Sequence, residues 1–148
     1  MDDSPALRIG SLNGTHVIVR PTRRVCPEAS DYWDGNWVYA TVEISAGAFR
    51  GEFEAQFRAE EFVRFQDQLR LLYERLTGGA KFDTMEASLK VEIEGDGRGH
   101  FRAACIATDD PAFGARLTFG IDFDQTELPD ILRGLDAICE AIPVIGKP

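Results

Sequence analysis

Histidine is scarce in this chain. His16 and His100 are the only two, and neither stands at i, i+2 or i, i+4 spacing from another ligand, so no metal centre is expected. Cysteine is almost as sparse. Cys26, Cys105 and Cys139 are odd in number, far apart and without a Cys-x-x-Cys pair, so neither a disulfide framework nor a zinc site is expected; they read as reduced, mostly buried small apolar side chains. No apolar run approaches the roughly 18–20 residues that a membrane span needs. The start, Met1-Asp2-Asp3-Ser4-Pro5, lacks the basic and apolar regions of a signal peptide, and the expected location is the cytoplasm. There is no Gly-x-Ser-x-Gly elbow and no cysteine spaced with a histidine and an amide. Gly95-Asp96-Gly97-Arg98-Gly99 connects two strands instead of opening a helix, so it lacks the N-terminus that holds phosphate. Carboxylate pairs such as Glu52 with Glu54 or Asp31 with Asp34 occur in any acidic chain, and acid–base work would require one of each pair to be desolvated. A non-enzymatic protein is expected, with no catalytic residue, cofactor or metal.

Positive charge is also short. Against 25 acidic side chains the 148 residues carry 16 basic ones, a formal charge of -9, which repels phosphate backbones and anionic membrane surfaces and attracts basic proteins. Neither direct nucleic-acid binding nor a membrane is expected. The length suits one domain, residues 1–148, with a real hydrophobic core.

Two strand-and-helix units follow from periodicity. Phe49, Gly51, Phe53, Ala55 and Phe57 alternate with Arg50, Glu52, Glu54 and Gln56, the pattern of a strand with one buried face. Phe62, Phe65, Leu69, Leu72 and Leu76 then step along a helix as one stripe, opened by Glu60 and Glu61 and ended by Gly78-Gly79. A second strand through Leu117, Phe119, Ile121 and Phe123 leads into the stripe Leu128, Ile131, Leu135, Ile138 and Ile142, with Thr126 as expected N-cap, Pro129 in the first turn and Pro143 as the stop. A shift of 66 residues superimposes Phe53 on Phe119, Phe57 on Phe123, and one stripe on the other. The expected fold is α+β: about eight mostly antiparallel strands, two helices on one face, and a duplicated ββββα unit with halves at about 6–78 and 79–143. Further strands are expected at 7–10 and 15–20 around Asn13-Gly14, at 37–45, near 81–85, and as a hairpin from Leu89 through Phe101 to Cys105.

Both tryptophans fall in Asp31-Tyr32-Trp33-Asp34-Gly35-Asn36-Trp37. If Val38, Ala40, Val42 and Ile44 face the helices, then Trp37, Tyr39, Thr41 and Glu43 face away from them, because strand side chains alternate. By the same parity Glu52, Glu54, Glu92 and Glu94 point outward. Trp37, Tyr39, Glu43, Glu52, Glu54, Glu92 and Glu94 are therefore the expected partner-binding residues, aromatic anchors among acids. Trp33, Asp34 and Asn36 are expected to anchor the loop before them.

The pattern Asp31-x-Trp33-Asp34-x-Asn36-Trp37-Val38, the Phe-rich strand with its Leu-striped helix, and Met85-Glu86-x-x-Leu89 together resemble the WapI-like immunity proteins of bacterial toxin systems. Ala87 departs from the pattern, which favours proline there. The resemblance implies a small cytosolic protein that binds and neutralises a toxin, with a basic toxin domain as the fitting partner. Two alternatives remain open on the residues alone: a homodimer or scaffold that pairs through the same sheet face, and a small-molecule domain with its pocket beneath the 21–33 loop.

Overall fold

The computed structural model describes residues 4–148, so Met1, Asp2 and Asp3, which open the segment read for a signal peptide, lie outside the described residues. Eight strands divide into two four-stranded antiparallel sheets, each in sequence order. The first holds β1 (Leu7–Gly10), β2 (His16–Arg24), β3 (Trp37–Ala46) and β4 (Phe49–Arg58); the second holds β5 (Thr77–Asp83), β6 (Leu89–Asp96), β7 (His100–Thr108) and β8 (Arg116–Asp124). Helix α2 (Ala59–Arg75) follows the first sheet, and α3 (Leu128–Ala141), entered through a 3-10 turn, follows the second. A one-turn helix, α1 (Tyr32–Gly35), occupies the segment expected to lead directly into β3. Among the described residues no helix is long and apolar enough to cross a membrane.

The stripes behave as the spacing requires. Phe62, Phe65, Leu69 and Leu72 on α2 and Leu128, Ile131, Leu135 and Ile138 on α3 are buried, and they join the inner faces of both sheets in one core cluster. Phe82 of β5 ties the second sheet to the first sheet and α2, its ring lying 5.3–5.6 Å from those of Phe57, Phe62 and Phe65. Aromatic contacts at such separations add about 0.5–1.5 kcal/mol per pair beyond area burial. Between the helices, Gln66 Nε2 and Arg70 Nη2 both donate to Asp136 Oδ1, at 2.5 and 2.8 Å.

The two long helices begin and end alike. At the start of α2 the Arg58 N–H donates to Glu61 Oε1 at 2.7 Å; before α3 the Asp124 N–H donates to Glu127 Oε2 at 3.0 Å. At their ends Leu76 N–H bonds the Leu72 carbonyl and Ile142 N–H bonds that of Ile138. Three expectations are corrected here. Asp124, not Thr126, is the cap, at the head of the 3-10 turn that leads into α3: its carboxylate accepts the Thr126 N–H at 2.9 Å, and the Thr126 hydroxyl is itself a donor to it. Gly78-Gly79 do not end α2: Leu76 takes the left-handed turn at φ 60 because its side chain packs on the core, and the glycines pass into β5. Strand β5 accordingly starts at Thr77, and Met85 lies in the turn after it. Ala87 has φ 59, which the ring of a proline forbids.

One bulge redirects β2. Pro21 pairs with Ala40 and Arg23 with Tyr39, so Thr22 is the extra residue. Beyond it the outward residues of β2 switch from even to odd numbers, setting Arg23 over the Tyr39 ring at 4.4 Å and turning Arg24 inward.

Helix α3 lies so close on β1 that a Cβ at Gly134 would come 2.2 Å from the Ala6 carbonyl oxygen. Helix propensity alone favours Ala over Gly in a helix interior by about 1 kcal/mol. Gly134→Ala is nevertheless expected to destabilise the protein by about 1–3 kcal/mol, the usual range for overpacking, as measured by urea unfolding.

Candidate functional site

Asp31 starts α1 in an extended conformation, its Oδ2 accepting the Asp34 N–H at 3.0 Å. One turn is too short to be stable alone, and its carbonyls find their partner in Arg58, the last residue of β4. The guanidinium donates to the Tyr32 carbonyl at 2.8 Å and the Trp33 carbonyl at 2.9 Å, and its Nε donates to Glu60 Oε2 at 2.5 Å. Its Cζ lies 4.9 Å from the Trp37 ring centroid, 5.2 Å from that of Tyr32 and 5.6 Å from that of Trp33. Only 1 % of Arg58 is exposed. The Tyr32 hydroxyl donates to the same Glu60 oxygen at 3.0 Å, and burial first, then Glu60, holds that hydroxyl above its ordinary range.

The other side of α1 receives the chain's C-terminal segment. Asn36, fully buried, donates from Nδ2 to the carbonyls of Tyr32 and Ile145 and accepts the Ile145 N–H, each at 2.9 Å. Arg24 donates to the Gly35 carbonyl at 2.7 Å and the Pro143 carbonyl at 2.6 Å. A Cβ at Gly35 would meet Ile145 Cδ1 at 2.2 Å, so the glycine makes room for the tail.

These contacts distribute the expected site residues unevenly. Trp33 and Asp34 stand on α1, with Trp33 57 % exposed and held through its carbonyl. Trp37, Tyr39, Glu43, Glu52 and Glu54 share the outer face of the first sheet, where Glu43 pairs with Glu52 and Thr41 with Glu54. Trp37 is half-buried against Arg58, Tyr39 is half-buried beneath Arg23, and Glu43 lies 3.5 Å from Arg20. Glu92 and Glu94 lie on the outer face of the second sheet, Glu92 3.3 Å from Lys81 and Glu94 opposite Arg102. The surface expected to gather all seven is thus two surfaces. That of the first sheet is also less acidic than expected, since Arg8, Arg20, Arg23 and Arg50 share it with the three glutamates.

Arg58 went unnoticed in the sequence, since it lies just past the alternating stretch from Phe49 to Phe57. Its only signal was its place, a cation on the last strand position before Glu60-Glu61. Among the described residues no group of three or more His, Cys, Asp or Glu side chains gathers as a metal site. Burial pushes the Cys105 thiol up to about 12, leaving no thiolate at neutral pH. A cavity of about 460 Å³ lies between β1 and α3, lined by Arg8, Glu127, Asp130, Arg133 and Gly134, where Arg133 is ion-paired to Asp130.

Arg58→Met keeps the length of the side chain but strands Glu60 and two carbonyls. It is expected to cost about 3–5 kcal/mol in urea unfolding. Arg58→Lys is expected to recover less than half of this, because an ammonium cannot bond both carbonyls while lying flat between rings.

A second expectation concerns pH. Glu61 accepts the N–H groups of Arg58 and Met85, at 2.7 and 2.6 Å, yet burial dominates and raises its carboxyl above the ordinary value of 4.5. The stability contributed by its protonation is complete below 4.5 and is lost as pH rises through the raised value. Asp96, bonded by the N–H groups of Arg98 and His100, and Asp124, bonded by Thr126, lie below their ordinary 3.8. Their contributions are present above 3.8 and fade only as pH falls through the lowered values. Between neutral pH and 4.5 the stability difference between wild type and Glu61→Gln should therefore move in favour of wild type as pH falls, measured by urea unfolding at a series of pH values.

Residues 8–143 match the family model described as the Immunity protein WapI-like family. No curated protein matches the sequence. The crystal structures of MRP1/MRP2 of Trypanosoma bruciei include a similar chain, with a TM-score of 0.51 at 14 % identity over 95 % of this chain and 87 % of that one. A guideRNA-binding protein complex bound to a gRNA includes another, also with a TM-score of 0.51 at 14 % identity, over 93 % of this chain and 90 % of that one. At that identity the likeness shows the fold alone.

Proposed function

The chain belongs to the Immunity protein WapI-like family, and on that premise we propose that it is a non-enzymatic inhibitor that binds and neutralises a toxin domain in the cytoplasm. The family match over residues 8–143 is the observation that carries this reading. The charge of -9 supports a basic partner, since opposite fields steer association and like fields suppress it. The guideRNA binding named for one structural neighbour is not extended to this chain: that charge would oppose a phosphate backbone, and the shared fold implies no shared ligand.

Residues 1–148 are read as a single domain of two pseudo-repeat halves. Supporting this, the helix caps at Arg58 and Asp124, the acids at Glu61 and Glu127, and the ends at Leu76 and Ile142 all stand at the shift that aligns the apolar stripes. A second reading, a homodimer, is favoured by β4: its hydrogen-bonded sheet neighbour is β3 alone, leaving a ten-residue edge, and Phe49 at its start is 66 % exposed.

The test is co-expression with the C-terminal toxin domain of a large secreted or surface protein encoded beside this chain. Growth should be restored and a complex should elute from gel filtration. No rescue and no complex would overturn the inhibitor reading, and a dimer by light scattering in its place would support the second one.

A further inference from the structure

We infer that the recognition epitope is the α1 knob, with Trp33 as its anchor on an acidic rim, and that it seats in an apolar slot on the basic surface of a partner protein. This inference rests on the inhibitor reading above and names the surface that performs it.

The choice of anchor follows from what each ring already touches. Trp37 lies along Arg58, and Tyr39 lies beneath Arg23, so each has one face taken. Trp33 makes an edge contact with Tyr32 at 4.9 Å and has the Arg58 Cζ farther off than Trp37 does, at 5.6 against 4.9 Å; at 57 % exposure it is the most open of the three rings. An indole in water is unfavourable in proportion to its apolar area, and truncating such a ring inside an interface is among the costliest single changes.

The ring is exposed but not loose. Asp31 caps its turn, Arg58 bonds its carbonyl and that of Tyr32, and Asn36 bonds Tyr32 from the far side. A rigid aromatic presented this way loses little side-chain entropy on binding. Met85, 64 % exposed, is fastened to the backbone end of the same arginine, because Glu61 accepts both the Arg58 and the Met85 N–H.

Charge identifies the partner. From Val25 to Asn36 the chain carries Glu28, Asp31 and Asp34 and no Lys or Arg, and all three acids are exposed; Glu86, also exposed, adjoins Met85. Of the cations beside it, Arg24 and Arg58 are turned inward onto carbonyls, which leaves Arg64, exposed on α2, as a positive charge acting on Tyr32. With four exposed acids against that one cation, the knob presents an apolar ring amid net negative charge, complementary to a protein surface rich in Lys and Arg and opposed to phosphate. The outer face of the first sheet, where four arginines stand among three glutamates, has no such excess of negative charge.

The probe is the adjoining toxin domain, inactivated by substitution and immobilised, with wild-type protein and four variants, Trp33→Ala, Asp34→Lys, Tyr39→Ala and Phe113→Ala, as analytes. Trp33→Ala should weaken the complex roughly thirtyfold or more with the circular-dichroism melt preserved. Asp34→Lys, which leaves the Arg58 contacts untouched, should slow association most at low salt. Phe113→Ala, which removes a ring 94 % exposed on the loop between β7 and β8, should leave affinity within about threefold, since exposed side chains outside an interface contribute little. Unchanged affinity for Trp33→Ala and Asp34→Lys, or loss on Tyr39→Ala or Phe113→Ala in their place, would overturn the epitope while the inhibitor reading stands. A wild-type protein that neither binds nor rescues would overturn both.

Discussion

A buried guanidinium is the constraint around which this protein is arranged. Desolvating a cation costs several kcal/mol unless its donors and its charge are answered. For Arg58 the answer comes from Glu60, two carbonyls of α1 and the faces of three aromatic rings. Each of those partners must therefore be where it is. Tyr32 and Trp33 can offer carbonyls only if the chain turns there, which is why a one-turn helix exists between two strands. Through its backbone N–H the same residue caps α2, so the first sheet, the first helix and the Trp-Asp-Gly-Asn-Trp segment meet at one side chain.

That junction separates the roles of the two tryptophans. Trp37, at the start of β3, is paired with Arg58 across the sheet and lies along its guanidinium. Trp33, inside the turn, contributes its carbonyl inward and so points its indole out. Gly35 and Asn36 hold the opposite side, where the C-terminal segment docks. The motif that makes the segment conspicuous is in large part a clasp, and the exposed ring is what the clasp displays.

Much of the architecture was legible in the sequence. Alternation located β3, β4, β6 and β8, and the apolar stripes gave both long helices, because burial of one face imposes a period that any half-buried strand or helix must carry. The Thr22 bulge was not legible, since an extra residue alters no composition and only pairing with β3 shows it. Leu76 in a left-handed turn was hidden by the glycines beside it, whose freedom made them the better guess on local grounds. The candidate surface was half legible: parity placed Trp37, Tyr39 and the glutamates outward, but it could not tell that Arg23 and Arg58 would cover the rings.

By itself the sequence determined the class of the protein, its repeat of strands and helix, its acidity and its poverty in chemical ligands, because these depend on composition and on periods of two and 3.6 residues. Only the tertiary structure decided that the strands form two sheets, that a cation at the end of a strand is buried, and that Trp33 rather than Trp37 is the open ring. The physical reason is that an arginine's place is settled by partners remote in the chain: the carbonyls and rings that accept Arg58 lie more than twenty residues before it, and no local pattern records their approach.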